Sequence, residues 1–348
     1  MGLEAIGVAL PTSESPEISP KPDISKIERA WKKFIETGEV DFSVVRPVIA
    51  ESWRRSRAMG LDPYDKSCFT RLSEAELKSR LEANKELIDT AWPFMEMLYK
   101  VVSGSGFRVD LTDSEGYLLK VIGDRRILEE ANNIIHFLPG ANRHESRVGT
   151  SGIGLALATG QPIQVVGAEH YNFHIHRWTC SSAPIHHPSG GIVGVLNMAG
   201  PRNLAHKHTL GLVIAVVEAI ERQFELKNFA SKLAVINEFL KTVISSINDG
   251  LIAIDKDGIV THFNCAAAKI LQCSPEEVVG GYAREAFSVY PELQEVLSSP
   301  PGREVQDKEV VIRGRGGSTR CLLSIKPIRQ KFEEVLGTAV IISKMERV

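Results

Sequence analysis

Apolar residues at heptad spacing near the middle of the chain limit the folds that it can adopt. They recur every three or four positions in two runs, and the second run starts nine residues after the first ends: Leu210, Val213, Val217, Ile220 and Phe224, then Leu233, Ile236, Leu240, Val243 and Ile247. Such spacing predicts a helix with one buried stripe. A gap of nine residues breaks the heptad phase. We therefore expect a long connector helix whose stripe bends, unwinds or rotates at 228–232.

The first run of the two has two candidate partners. If it pairs with its copy in a second chain, the protein is a homodimer, which is the state that we expect. If it packs on a sheet of its own chain instead, it belongs to a domain core. Aspartate at Val217 and Ile220 would dissociate the dimer in the first case and unfold the domain in the second.

Short strands flank this helical segment on both sides. Alternating apolar residues around turn residues predict hairpins at 107–122 and 181–198 before it, with a short helix and one strand between them. After it come a tight hairpin around Gly258 and three further strands, near 305–313, 321–328 and 337–342. The pattern predicts an α+β fold with two modules, each an antiparallel sheet with helices gathered on one side.

The first 84 residues are expected to contain no strand. Four prolines within 1–22 predict a flexible leader. Capping boxes at Ser25 and Ser73 open predicted helices, and the helix from Ser73 is expected to bend at Pro93. The expected division is a leader (1–22), a helical region (23–84), a first sheet-containing module (85–226), a connector helix (227–249) and a second module (250–348).

Composition excludes several classes of protein. A net charge of -2 over 348 residues provides no broad basic field, so direct DNA binding by this chain is not expected. The five cysteines lack CxxC spacing, and no apolar run is long enough to cross a bilayer, which predicts a cytoplasmic protein without membrane contact. Because GxxxxGK, GxSxG and HExxH motifs are absent from the sequence, we do not expect an enzyme.

Several motifs of the first half resemble one family of regulators. They are RPVIAESWRRSR at 46–57, GLDP at 60–63, GTSGIG at 149–154, HY at 170–171, HRWTCSSAPI at 176–185 and GVLNMAG at 194–200. In this order they resemble the opening and the GAF domain of acetoin-catabolism and dihydroxyacetone-operon regulators. Ser151 stands where that family usually has Asn.

The second half resembles a PAS domain over about 230–345. The motifs are DGLIAID at 249–255, GIV at 258–260, an Asn264-x-Ala-Ala run and Gly280. The combined resemblance implies the sensor region of a sigma-54-dependent activator. In that family an AAA+ domain, which engages sigma-54 RNA polymerase, and a DNA-binding helix-turn-helix follow. Neither domain is present in this sequence.

The resemblance implies two alternative inputs. In the first, a small metabolite binds the GAF-like module and the connector helix passes the change to the PAS module. In the second, a partner protein docks on the sensor, as the dihydroxyacetone-type regulators suggest. The sequence leaves the identity of the effector open.

Candidate ligand-binding residues follow from the same motifs. In the GAF-like module they are His170, Tyr171, His176, Trp178, Cys180 and Asn197. In the PAS module they are His262 and Asn264. The second module has no Trp and a single His, so neither flavin nor haem is expected, and no cofactor is predicted.

Two groups of residues in the first module allow other interpretations, a metal site and an anion contact. His170, His174, His176 and Cys180 could bind zinc or iron, but no complete zinc spacing is present, so we predict no metal. A basic group at 136–147, which includes Arg143, could neutralise an anionic effector or form a solvated surface.

Overall fold

The computed structural model describes residues 24–297, 302, 304–314, 317–329 and 334–345. The predicted leader, 1–22, lies outside them. The chain divides into two compact units, unit 1 ending at Phe229 and unit 2 beginning at Ala230. Among the described residues, no helix combines the length and apolar character that a membrane span requires. The finer division into five segments stays a prediction.

Unit 1 contains eight helices, the last of which continues into unit 2, and five strands among the residues that the structure describes. The helices are α1 Ile24–Thr37, α2 Pro47–Ala58, α3 Glu74–Ala83, α4 Lys85–Val102, α5 Arg125–Ile135, α6 Glu145–Val148, α7 Gly152–Thr159 and α8 Lys207–Ser246. The strands are β1 Arg108–Asp113, β2 Leu118–Gly123, β3 Ile163–Val166, β4 Trp178–His186 and β5 Ile192–Pro201.

Unit 2 has a second sheet with short helices. Its strands are β6 Gly250–Asp255, β7 Val260–Phe263, β8 Val305–Gly314, β9 Gly317–Arg329 and β10 Val335–Lys344. Its helices are α9 Cys265–Leu271, α10 Pro275–Val278, α11 Ala283–Ala286 and α12 Pro291–Leu297. The α+β prediction with two antiparallel sheets is confirmed.

Both sheets use the same strand order. In unit 1 the order is β2-β1-β5-β4-β3, and in unit 2 it is β7-β6-β10-β9-β8. In each sheet the strand that comes last in sequence, β5 or β10, therefore lies at the centre, beside the strand that comes first, β1 or β6. This arrangement brings Arg108 and Asp110 of β1 next to Ala199 and Asn197 of β5.

Helices cover both faces of the unit 1 sheet, rather than one side as the sequence suggested. On one face, α4 and the first half of α8 form a core with side chains such as Leu111 and Met198. On the other face, α1, α2, α5 and α7 form a second core that includes Trp31 and Trp53. The helical region before residue 84 is thus part of the same packed unit as the sheet.

The structure decides between some of the alternatives for the connector helix. It is continuous through 228–232, so of the three expected changes it does not unwind there. The first apolar stripe is not exposed for pairing with a second chain. Val217 and Ile220 are 5% and 0% exposed and pack in the core of unit 1. Heptad spacing reports that a stripe is buried but does not identify the surface that buries it.

Two other helices also differ from expectation. The helix from Ser73 breaks at Asn84, and Pro93 lies inside the helix that follows, α4. Asn84 ends α3 because its side-chain Nδ2 donates to the carbonyl of Arg80, at 2.9 Å. Helix α5 was missed, although Ile127, Ala131 and Ile135 have the four-residue spacing that predicts a buried helical face.

Candidate functional site

The segment between β3 and β4 is held in place by the first two helices. The indole N–H groups of Trp31 and Trp53 donate to the carbonyls of Tyr171 and Glu169, at 3.0 and 2.8 Å. The Arg46 guanidinium forms an ion pair with the Glu169 carboxylate at 3.0 Å. Because these contacts join residues more than 100 positions apart, the segment's conformation depends on the fold of all of unit 1.

Two histidines of this segment are buried and neutral. His170 Nδ1 donates to the carbonyl of Gly167 at 2.9 Å, and His176 Nε2 donates to the carbonyl of His170 at 3.0 Å. Burial lowers the pKa of His170 to about 3 and that of His176 to about 4. Both rings therefore act as neutral donors at physiological pH.

Aromatic rings pack around His176. The ring centroids of Trp31 and Phe173 lie 4.5 and 5.4 Å from that of His176, both in edge-to-face geometry. Tyr64 packs on Trp31 at 5.6 Å. The cluster fixes the orientation of the imidazole, since edge-to-face pairs are favourable only over a limited range of angles.

A cavity of about 770 Å³ lies beside this cluster. Its walls come from α1, α5, the segment before β4 and the turn after β5, and the lining residues are Glu28, Trp31, Lys32, Glu130, Ile134, Phe173, His174, His176, Arg177, Trp178, Pro201, Arg202 and Asn203. Ion pairs join Arg177 to Glu130 at 2.9 Å and Arg202 to Glu28. The volume falls in the range of small-molecule sites, and the walls combine aromatic and apolar side chains with five charged ones.

The predicted residues divide between the cavity and its surroundings. His176 and Trp178 line the cavity. His170 and Tyr171 are buried behind it, at 0% and 2% exposure. Cys180 and Asn197 lie further along the sheet, on neighbouring strands that place Cys180 opposite Ala199.

Asn197 belongs to a buried polar row on the sheet. Its Oδ1 accepts from Ser182 Oγ at 2.8 Å, and its Nδ2 donates to Asp110 Oδ2 at 2.6 Å. Helix α7 covers the Ser182 end closely, since a Cβ on Gly152 would lie only 2.5 Å from Ser182 Oγ. The part of this face under α7 is thus filled, and the cavity lies at the part of the same face near α5.

The thiol and imidazole groups do not converge on a metal. Burial raises the pKa of Cys180 to about 12, so it is a protonated thiol. His174 Nε2 lies 3.0 Å from the carbonyl of Tyr64. Within the described ranges, no group of three or more His, Cys, Asp or Glu side chains could hold a metal ion.

Sequence reasoning missed the residues that distant helices bring to the site. Trp31 reaches the segment from 140 positions away, and no local pattern encodes such a contact. Arg108 and Asp110 alternate with Val109 and Leu111 as in a strand with one solvated face, yet all four are buried. Buried charges in such a strand can be recognised only once the helices that cover it are known.

In the PAS-like unit, the two candidates have different surroundings. Asn264 Oδ1 accepts from the N–H groups of Leu251 and Ala267, both at 2.9 Å, and its Nδ2 donates to the carbonyls of Ile244 and Asp249. These four bonds use the full capacity of the amide, so no donor or acceptor is left for a ligand. His262 lies exposed on β7.

Comparison with known proteins agrees with this architecture. A family model described as the MimR N-terminal domain matches residues 23–221, and a PAS fold model matches 238–345. The crystal structure of the E. coli DhaR(N)-DhaL complex has a chain with a TM-score of 0.76 at 18% identity, covering 86% of this chain and all of that one. At this identity the likeness concerns the fold.

Curated relatives extend the likeness to sequence. A signal-transduction and transcriptional-control protein of Clostridium beijerinckii is 32% identical over 86% of this chain and 47% of its own length. The acetoin dehydrogenase operon transcriptional activator AcoR of Bacillus subtilis is 35% identical over 63% of this chain and 36% of its own length. The chain therefore spans less than half of these two relatives. It belongs to the MimR N-terminal-domain family of transcriptional activators, with a PAS fold after that domain.

Proposed function

We propose that the chain is the sensory region of a transcriptional activator and that the cavity beside His176 and Trp178 binds a small metabolite. The observation that carries this proposal is a cavity of about 770 Å³ lined by a buried aromatic ring and a buried neutral imidazole. The cavity contacts α1 and α5 as well as the sheet. Ligand occupancy can therefore alter the packing of helices on that face of unit 1.

Output is proposed to travel through α8 and the PAS unit to domains elsewhere in the whole regulator. Those are an AAA+ domain acting on sigma-54 RNA polymerase and a DNA-binding domain, so this region itself binds no DNA and catalyses no reaction. An effector shifts such a relay only by its differential affinity for two states, typically about 1–3 kcal/mol. We place the protein in the cytoplasm.

A homodimer is proposed to form through the second apolar run of α8. Leu233, Ile236, Leu240 and Val243 of α8, and Ile247 directly after its end, are 39–52% exposed in the single chain. Their alternating steps of three and four residues match the a and d positions of a coiled coil. Two copies would bury this stripe against each other.

Thermal melting against a panel of metabolites tests the cavity. A ligand at 100 times its dissociation constant should stabilise unit 1 by about 2.7 kcal/mol. His176→Gln and Trp178→Phe should weaken that ligand by about 1–3 kcal/mol, because each alters a buried contact. His208→Gln, on an exposed histidine outside the cavity, should not. A ligand that binds all three variants equally would place the site elsewhere.

The alternative is that the input is a partner protein. The similar crystal structure is a complex of DhaR(N) with DhaL, which supports protein docking for that regulator. A sensor of this kind would show no stabilisation by any metabolite. Its full-length regulator would also keep its response with His176→Gln, whereas a metabolite sensor would lose it.

A further inference from the structure

Two arginine side chains are buried against one aromatic ring in unit 1. Arg108, on β1, and Arg143, between α5 and α6, are 1% and 2% exposed. Their guanidinium carbons lie 3.9 and 4.9 Å from the centroid of the Phe137 ring. Two buried like charges that contact the same aromatic ring repel each other unless an anion lies near both.

The acidic groups around the pair do not balance it. Arg108 Nε lies 3.2 Å from Asp110 Oδ1, whereas Arg143 has no carboxylate within ion-pair distance among the residues that the structure describes. Two positive groups thus face one negative group. Burial, and then the neighbouring Arg108, lower the pKa of Arg143 to about 9, which leaves it charged at neutral pH.

Two donors of this pair are unused. Arg143 is anchored by donating from Nη1 to the carbonyl of Asn142 and from Nη2 to that of Ile135, at 2.9 and 2.6 Å. Its Nε and the Nη1 of Arg108 are buried without a hydrogen-bond partner in the described structure. A buried cationic donor without a partner is costly, so two such donors on this pair indicate an absent acceptor.

The pair lies one side chain away from the cavity. The guanidinium carbon of Arg108 is 4.9 Å from the centroid of the Trp178 ring, and Trp178 lines the cavity. The Trp178 indole N–H is also buried without a partner. Trp178 therefore lies between the cavity and the Arg108 guanidinium group.

We propose that unit 1 binds a small organic monoanion, a monocarboxylate in chemistry, whose charged group accepts from the guanidinium groups of Arg108 and Arg143. The charge count calls for one negative charge, and a carboxylate accepts hydrogen bonds from several N–H donors at once. Phe137 and Trp178 provide apolar contact for the rest of the ligand. This inference rests on the proposed sensory function and names the class of its effector.

Matched pairs of probes test the inference on the full chain in chloride-free buffer. Formate, acetate, isobutyrate and benzoate are compared with formamide, acetamide, isobutyramide and benzamide, with melting temperature and calorimetric Kd as the measurements. At least one carboxylate should bind, and its amide, of nearly the same shape but uncharged, should not. Arg143→Gln should weaken that carboxylate by roughly 10- to 100-fold, because a charge-assisted contact is lost.

Asp110→Asn provides the opposite test, because it removes the negative charge and keeps an amide oxygen for Asn197. It should tighten the carboxylate, whereas a purely structural role of these residues would make both variants weaken it. Arg147→Gln, on an exposed neighbour of Arg143, is the control and should change nothing. Circular dichroism verifies the fold of each variant.

Four results would overturn the proposal of a monoanion site. Three of them are equal binding of carboxylate and amide, no binding of any carboxylate, and unchanged carboxylate affinity in Arg143→Gln. The fourth is stabilisation by chloride as large as that by the carboxylates, which would mean an adventitious ion only. If a neutral metabolite binds and His176→Gln weakens its affinity, the proposal of a monoanion ligand is wrong and the proposed sensory function stands. If no small molecule stabilises unit 1, both are wrong.

Discussion

Individual side chains around the cavity show which properties a sequence reveals. The sequence suggested His176 and Trp178 as pocket residues because an imidazole and an indole can form a mixed polar and apolar wall. Both line the cavity, and ligand binding by them stays a prediction. Arg143 was weighed as an effector contact or a surface charge. It is 2% exposed, since Phe69 and Phe137 cover it, and that packing follows from tertiary structure alone.

The buried histidines make a prediction about pH. Folded-state pKa values of about 3 for His170 and about 4 for His176 lie below the unfolded value of 6.5. Above pH 6.5 neither state binds these protons, so the stability is complete. As pH falls below that value, the unfolded chain binds protons that the folded chain rejects, and the unfolding free energy drops by about 1.4 kcal/mol per histidine per pH unit.

Urea unfolding at a series of pH values between about 7.5 and about 5 measures this loss. The slope of the unfolding free energy against pH gives the number of protons taken up on unfolding. His176→Gln keeps a side-chain N–H donor for the carbonyl of His170 but cannot titrate. It should therefore show a shallower decline than the unaltered protein. Identical declines would mean that His176 is protonated in the folded state, contrary to its burial.

At the scale of elements, strands were easier to predict than helices. The strand at 163–166 and both hairpins of unit 1 are confirmed, because alternation and turn residues are local signals. Helix α5 was missed and the break at Asn84 was misplaced. The first stripe of α8 was identified correctly as buried, but its partner, the unit 1 core, depends on contacts with α4 and the sheet.

The second stripe of α8 carries the prediction for this scale. Ile236→Asp with Leu240→Asp should convert a dimer to a folded monomer, because both residues are about half exposed within one chain and like charges would meet in the interface. Val235→Asp, at an exposed position outside the stripe, should leave the dimer intact. Sedimentation with circular dichroism distinguishes the states. A double variant that remains a folded dimer would place the interface elsewhere.

For the whole molecule, the sequence predicted two sheet-based modules correctly because each has its own strand pattern. What it could not indicate is that α1 and α2 belong to the first module. Trp31 and Trp53 of these helices are buried in one core with residues of the sheet, such as Leu118 and Val195. Pairing between segments so far apart depends on shape complementarity, which periodicity does not encode.

Separate cores predict separate unfolding. The core of unit 2 consists of residues from Ile252 to Ile342, so calorimetry should resolve two transitions. Asn264→Ala should lower the unfolding free energy of unit 2 by about 2–4 kcal/mol, because four backbone groups lose their partner. Asn264→Ser, which can still cap α9, should lower it less. A single transition shifted as a whole would show that the units unfold together.

The deep burial of Arg108 and Arg143 affects how long a ligand bound to them would stay in place. A molecule held by groups that are 1% and 2% exposed leaves only when the surrounding helices open locally, and such openings are rare events whose frequency is set by the stability of the packed unit. Its residence time would then exceed that of a ligand on an open surface. A sensor built in this way reports the average concentration of its metabolite over an interval and filters out brief fluctuations.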